Sequence, residues 1–262
     1  MINAAVLGSP IAHSLSPKIH RKALEILGIS GNYQAFEVGE SEFSGFLSNH
    51  GAANWSGFSL TMPLKDSVFG LISNIDETTR RINSANTIYR VGDSWHATST
   101  DLRAFENLAV VSKQSKIAII GGGGTARAAI GSLDSRASSV DVLIRNPKRE
   151  AAMRSAAPGL EINFLEMGTQ LSTYDLVIQT TPAGAFDEYA ESIGKISGTL
   201  IEALYKPFPT PIAAKFIASG LPVISGRELL VEQALFQVEL FTGAKFDFDE
   251  MRSALLAEIS GD

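Results

Sequence analysis

The sequence predicts an α/β protein built from two successive sheets. Three observations carry this reading. Apolar, strand-like runs alternate with amphipathic, helix-like runs almost from the first residue. The alternation starts afresh near Lys116, where KIAIIG runs into four consecutive glycines. The chain then closes on two amphipathic helical runs with no strand between them, which need another surface to cover.

In the first series, residues 4–8 read as a strand. Ser16-Pro17 looks like an N-cap followed by proline at the first helical position. The run KIHRKALEILG places Ile19, Ala23, Leu24 and Leu27 on one face, and Gly28 stops it. Residues 32–38 form a second strand, 41–49 a helix and 55–61 a third strand. Residues 65–72 and 76–82 read as helical, and 87–90 and 94–98 as two shorter strands. The expected sheet is mostly parallel with some antiparallel edge pairing.

The second series repeats strand and helix more regularly. KIAIIG and SVDVLIRN are strands, followed by the helices GGGTARAAIGSL and PKREAAMRSAA. LEINFLEMG and YDLVIQTTP give two more strands. GTLIEALY and LPVIS complete the set, with the helix PTPIAAKFIASG between them. The succession resembles a dinucleotide-binding sheet. The closing helices, RELLVEQALFQVELFTG and DFDEMRSALLAEIS, are expected to return to the first domain. Residues 1–101 with 227–262 would form that domain, and 102–226 the second.

Composition narrows the function. The chain of 262 residues, 45% hydrophobic, accommodates one large or two modest cores. Its 28 acidic and 22 basic residues give a net charge of −6, which argues against nucleic acid or an anionic membrane as partner. Without cysteine there is no disulfide, thiolate metal site or cysteine nucleophile. His13, His20, His50 and His96 have no metal-ligand spacing, so no metal is expected. The start MINAAVLGSP lacks the features of a signal peptide, and no run approaches a membrane span. These features predict a soluble, cytoplasmic protein.

In IAIIGGGGTARAAI, Gly121, Gly123 and Ala126 match GxGxx[GA] between a strand and a helix. Glycine lets the backbone approach a pyrophosphate, and the helix N-terminus offers free N–H groups and the positive dipole end. An NAD site usually has an acidic residue at the end of the next strand. Here that strand ends in Arg145-Asn146, followed by Lys148 and Arg149, and Asp141 comes too early. Cations there suit a 2′-phosphate, so the expected cofactor is NADP.

Polar residues are scattered through the first domain. Ser14 and Ser16 stand in GSPIAHSLSP, Thr61 and Lys65 in SLTMPLK, Asn86 in SANTI and Asp101 in TSTDLRAF. Singly, Ser16 and Asp101 read as helix caps, Asn86 as a turn residue and Lys65 as a snorkelling helix-start lysine. Together they resemble the shikimate dehydrogenase family. Its GxPIxHSxSPxxH, [NS]xTxPxK, xxxNT, NTDxxG, GAGGAxxA and GxxMLxxQ stretches are matched in order. Here they read GSPIAHSLSPKIH, SLTMPLK, SANT, STDLRAF, GGGGTARAA and GRELLVEQ. The likeness runs from about residue 5 to residue 240.

The resemblance implies NADP-linked, reversible reduction of 3-dehydroshikimate to shikimate. Ser14 and Ser16 would bind the substrate carboxylate, and Thr61, Asn86 and Gln233 the ring substituents. Tyr205, in a DxxYxPxxT-like stretch, would line the same pocket. Lys65 and Asp101 would form the catalytic pair. Gly121, Gly122, Gly123, Gly124, Thr125 and Ala126 would hold the pyrophosphate. Arg145 and Asn146 would face the adenosine phosphate, and Ala203 and Gly226 the nicotinamide. The implied partner is the small-molecule substrate, on a monomer or homodimer.

The sequence also departs from the family pattern. Ser99 replaces asparagine, Ala104 and Asn83 replace glycines, and Glu202 replaces aspartate. Lys206 replaces asparagine, Leu229 replaces methionine, and RNP stands for NRT. These changes keep open a quinate/shikimate dehydrogenase or a paralogue that uses NAD or a related polyol acid. A non-catalytic NADP- or ligand-sensing regulator is a third reading, opposed by the retention of Lys65 and Asp101.

Overall fold

The computed structural model describes residues 1–50 and 55–261. The side chain of His50, residues 51–54 and Asp262 lie outside it, and with them the last residue of the expected first domain. The chain forms two compact units, Met1–Thr100 with Leu230–Asp262, and Asp101–Leu229.

The first unit holds β1 (Ile2–Gly8), α1 (Ser16–Ile26), β2 (Gly31–Glu37), α2 (Glu40–His50), β3 (Gly57–Leu60) and β4 (Asn74–Ile75). It continues with α3 (Glu77–Ile82), β5 (Thr87–Val91) and β6 (Ser94–Thr98). The strand order is β2-β1-β3-β5-β6-β4. β1 is parallel to β2 and β3, whereas β5 is antiparallel to β3 and β6. Side chains alternate faces along a strand. Ala5 and Leu7 of β1 therefore join Phe43, Phe58 and Ile88 in one core, while Ala4 and Val6 join Tyr33 and Phe241 in another.

That second face is covered from the end of the chain. Val231, Ala234, Leu235 and Val238 of α9 (Gly226–Thr242) pack with Ile19 and Ala23 of α1 and with Met251 and Leu255 of α10 (Phe248–Glu258). The two terminal helices thus return to the first domain, as their apolar stripes require.

The second unit contains α4 (Thr100–Leu108) after its first residue, then β7 (Ile117–Ile120), α5 (Gly124–Leu133), β8 (Ser139–Leu143) and α6 (Glu150–Ala156). β9 (Glu161–Leu165), β10 (Leu176–Gln179), α7 (Asp187–Ser192), β11 (Thr199–Glu202), α8 (Pro211–Ala218) and β12 (Val223–Ile224) complete it. Every strand pair is parallel, in the order β12-β11-β10-β7-β8-β9. Counted from β7 this is 3-2-1-4-5-6 reversed, the Rossmann order, with its switch point between β7 and β10. Buried on both faces, these strands read as continuous apolar runs.

Several local expectations are corrected. Residues 65–72 are a succession of turns, not a helix. Leu64, Ser67 and Leu71 each bond a carbonyl three residues back, and Gly70 has φ +100°. Ser16 is not a cap: it begins α1 behind Leu15, and no side chain caps that end. Pro17 consequently takes the second helical position. Asp101 lies inside α4 rather than capping it, and Asn86 immediately precedes β5, outside any turn. β4 and α7 were not expected, being only two and six residues long. Asn83, in a family glycine position, caps α3 with φ 47°. Asparagine tolerates that left-handed backbone better than most residues.

Among the described residues no helix is long and apolar enough to cross a membrane. One packing constraint is sharp. A Cβ on Gly57 would lie 2.2 Å from Phe241 Cε1 and 2.6 Å from the Ile88 carbonyl oxygen. Gly57→Ala is expected to destabilise the protein by about 1–3 kcal/mol through overpacking. Urea denaturation of the two proteins checks this, the midpoint moving to lower urea.

Candidate active site

The first unit gathers its polar residues around two neighbouring loops. The Thr61 N–H donates to the Leu7 carbonyl at 2.9 Å, and the Ser9 N–H to the Met62 carbonyl at 2.9 Å. Ser9–Pro10 and Met62–Pro63 are both cis. Gly8 permits the approach, since a Cβ there would lie 2.3 Å from Thr61 Cγ2. Ser14 Oγ accepts the Ser16 N–H at 3.3 Å, bringing the two serines together at the start of α1.

Lys65 is half-buried on the turn after β3, and its carbonyl accepts the Ala85 N–H at 2.9 Å. The next residue, Asn86, accepts the Leu60 N–H at its carbonyl, at 2.7 Å. The Asn86 side chain, 3% exposed, reaches two other segments. Its Oδ1 accepts the Thr100 N–H at 2.7 Å. Its Nδ2 donates to Thr100 Oγ1 at 2.9 Å and to Gln233 Oε1 at 3.1 Å. Asp101, the residue after Thr100, is buried in the first turn of α4, where a carboxylate complements the helix dipole. The structure thus bonds Asn86 directly to Gln233, ties the Lys65 turn to Ala85 and Thr61 to Leu7, and pairs Ser14 with Ser16. Thr100, which ties Asn86 to the main chain before Asp101, was missed in the sequence, because its partner lies fourteen residues away and nothing local announces the pairing.

In the second unit the glycine loop follows β7. Gly121 has φ +111°, and a Cβ there would lie 2.5 Å from Thr180 Oγ1. Thr180 Oγ1 donates to the Ile120 carbonyl at 2.7 Å, so the chain after β10 braces the loop. Gly123 precedes the first turn of α5, and Gly124 and Thr125 open it ahead of buried Ala126. The Arg145 and Asn146 side chains are exposed; Asn146 Oδ1 accepts the Lys148 N–H at 3.1 Å and caps a short 3₁₀ turn. Arg149 is the cation that leans on the loop. Its Nη1 donates to the Gly122 carbonyl at 3.0 Å, and its Cδ lies 3.1 Å from where a Gly122 Cβ would stand. Asp141, the acid within β8, is engaged by the Tyr174 hydroxyl at 2.6 Å and Asn163 Nδ2 at 3.0 Å.

Ala203, Tyr205 and Gly226 also converge. The Ala203 N–H donates to the Gln179 carbonyl at 2.9 Å, and a Cβ on Gly226 would lie 2.3 Å from the Leu204 carbonyl carbon. Burial pushes the Tyr205 phenol up from its usual range. Glu202 anchors this loop from below. Its Oε1 accepts the Leu204 N–H at 3.0 Å, and its Oε2 the Thr210 hydroxyl at 2.6 Å.

Known proteins resemble this chain along nearly its whole length. The family model for the shikimate dehydrogenase substrate binding domain matches residues 6–88, and that for the shikimate 5'-dehydrogenase C-terminal domain matches residues 226–256. A shikimate dehydrogenase (NADP(+)) from Synechococcus sp. is 31% identical over 92% of this chain and 89% of its own. The chain belongs to the shikimate dehydrogenase family. The crystal structure of Mycobacterium tuberculosis shikimate dehydrogenase superposes with a TM-score of 0.88 at 32% identity, covering 98% of this chain and 99% of that one. A Thermus thermophilus family member, solved in complex with NADP(H) and shikimate, gives a TM-score of 0.85 at 26% identity over 99% and 100% of the chains.

The burial of Glu202 has a measurable consequence. Burial is the largest influence on Glu202 and raises its carboxyl from 4.5 to about 7, against the lowering effect of the Thr210 and Leu204 hydrogen bonds; nearby Asp187 raises it further. The folded value exceeds the unfolded one, so Glu202 contributes stability below about pH 4.5 that is lost as pH rises through about 7. Relative to Glu202→Gln, the wild type is expected to lose about 1.4 kcal/mol per pH unit across that window. Thermal unfolding of both proteins from pH 4 to 8 measures the difference.

Proposed function

We propose that the protein is an NADP-dependent shikimate dehydrogenase that interconverts 3-dehydroshikimate and shikimate. One observation supports this most directly. The Lys65 turn is bonded to Ala85, and the adjoining Asn86 is bonded to Thr100, immediately before Asp101. Two groups suited to acid–base work thus stand on segments bonded to the adjoining residues Ala85 and Asn86.

The residues divide the work by chemistry. Ser14 and Ser16 offer hydroxyl donors to the substrate carboxylate. A ring hydroxyl takes the place of the bond between Asn86 and Gln233 and bridges their amides, with Thr61 and Tyr205 on other ring substituents. Reduction places negative charge on the carbonyl oxygen. The Lys65 ammonium stabilises that charge and donates its proton to the oxygen. In oxidation a neutral Lys65 takes the hydroxyl proton. The Asp101 carboxylate accepts a substrate hydroxyl hydrogen bond and orients the lysine.

The cofactor fits the second unit. NADP, when bound, would supply the hydride chemistry at its nicotinamide. Gly121 to Ala126 and the first turn of α5 would hold the pyrophosphate, where any Cβ on Gly121 or Gly122 meets Thr180 or Arg149. Arg145, Asn146 and Arg149 would hold the adenosine phosphate, and Ala203 and Gly226 the nicotinamide side. Arg149, braced on the Gly122 carbonyl, would supply the guanidinium nearest the glycine loop. The two domains are residues 1–101 with 227–262 for substrate and 102–226 for cofactor, in a cytoplasmic monomer or homodimer.

Absorbance at the reduced-nicotinamide band tests the reading, with shikimate or quinate and NADP or NAD in parallel. Rapid reduction with shikimate and NADP is expected; signal only with quinate or NAD would move the protein to a paralogue. Lys65→Ala and Asp101→Asn are each expected to lower kcat on the order of 100-fold to 10,000-fold. Near wild-type turnover in either would remove that residue from the catalytic pair. Arg149→Ala is expected to raise the KM for NADP about tenfold, equivalent to roughly 1.4 kcal/mol, and to leave that for NAD unchanged. An equal rise for both cofactors would refute the phosphate contact.

A further inference from the structure

Gln237 has no part in the site described above, yet it lies one helical turn beyond Gln233 on α9 and is 1% exposed. Its amide is used on both sides. Oε1 accepts the Ser59 hydroxyl at 2.7 Å and faces His20 Nε2 at 3.1 Å. Nε2 donates to Thr87 Oγ1 at 2.9 Å and to the Asn86 carbonyl at 3.2 Å. Ser59 in turn accepts the Tyr33 hydroxyl at 2.5 Å, and the Tyr33 ring stacks on His20 with centroids 4.0 Å apart.

The surroundings dictate which way this amide points. Burial holds His20 down to about 3, so its ring is neutral in the folded protein at neutral pH. A neutral ring protonated at Nε2 donates to Gln237. The Asn86 carbonyl can only accept, so the Gln237 NH₂ must face it, and the Gln237 oxygen then faces Ser59 and His20, which donate to it. The reverse orientation would set the Gln237 oxygen against the Asn86 carbonyl oxygen and leave both unpaired there. Thr87 Oγ1 then donates to Asn86 Oδ1 at 3.2 Å, the same oxygen that accepts the Thr100 N–H.

We infer that Gln237 is a positioning residue: it fixes the Asn86 amide and, through Thr100, the main chain immediately before Asp101. It touches no reacting atom. Its catalytic consequence rests on the dehydrogenase reading, whereas its structural consequence does not.

Two variants and two readouts test this. Gln237→Leu removes both arms of the amide; Thr87→Val, which serves if the first does not fold, removes the hydroxyl through which Gln237 reaches both Asn86 Oδ1 and Thr100 Oγ1. In each, amide hydrogen exchange of the segment around Thr100 is expected to rise about tenfold, the effect of losing roughly 1.4 kcal/mol of local hydrogen bonding. The KM for shikimate is expected to rise by a similar factor, about tenfold, with the KM for NADP unchanged. Unchanged exchange around Thr100, with only a lower Tm, would overturn the inference and leave Gln237 as core packing. A wild-type protein inactive on shikimate would overturn the dehydrogenase reading instead, and exchange at Thr100 would then decide the positioning role alone.

Discussion

A single buried amide closes the first unit on itself. Asn86 bonds Leu60 at the end of β3, Thr100 at the start of α4 and Gln233 on α9. The Leu60 bond is made by the main-chain carbonyl and continues the β3–β5 pairing, while the side chain reaches Thr100 and Gln233. A buried polar side chain of this kind costs free energy unless all its groups are paired, so its environment is specified closely. The antiparallel turn of the sheet at β3 and β5 makes the arrangement possible. A strictly parallel continuation would have carried residue 86 away from the loop that bears Lys65.

The second unit depends on a different constraint, the absence of side chains. Gly121 takes a positive φ with Thr180 against it, and Gly122 lies under Arg149. The loop is therefore defined by what packs behind it as much as by its own flexibility. Its position follows from topology: it leaves β7 at the switch point, where β8 and β10 diverge on either side. Thr180, on the chain leaving β10, completes the brace because the switch point brings that chain alongside.

Much of this was legible in the sequence because period and turn chemistry agree with the fold. The apolar runs of the second series gave its strands, and the unpartnered stripes of the last two helices gave their return. The stretch 65–72 misled because its apolar spacing, Leu64, Val68 and Ile72, is helical, while Pro63 and Gly70 at either end favour turns. Ser16 misled because a serine before proline is the usual helix start, but here the backbone N–H of Ser16 turns back onto Ser14. For the site, motif spacing pointed to residues but not to their partners. Thr100, Gln237 and the Glu202–Thr210 bond are tertiary pairings, with no local signal to announce them.

Arg145 and Arg149 mark where sequence reasoning and geometry part. A strand that ends at Leu143 leaves Arg145 two residues beyond it, exposed, while the 3₁₀ turn capped by Asn146 folds the chain back. That turn carries Arg149 onto the Gly122 carbonyl. The proline fixes the turn, the asparagine caps it, and the guanidinium arrives from the next position but one. The residue that reaches the glycine loop is therefore set by the turn after the strand and not by the strand's own end, where motif spacing had placed the cation.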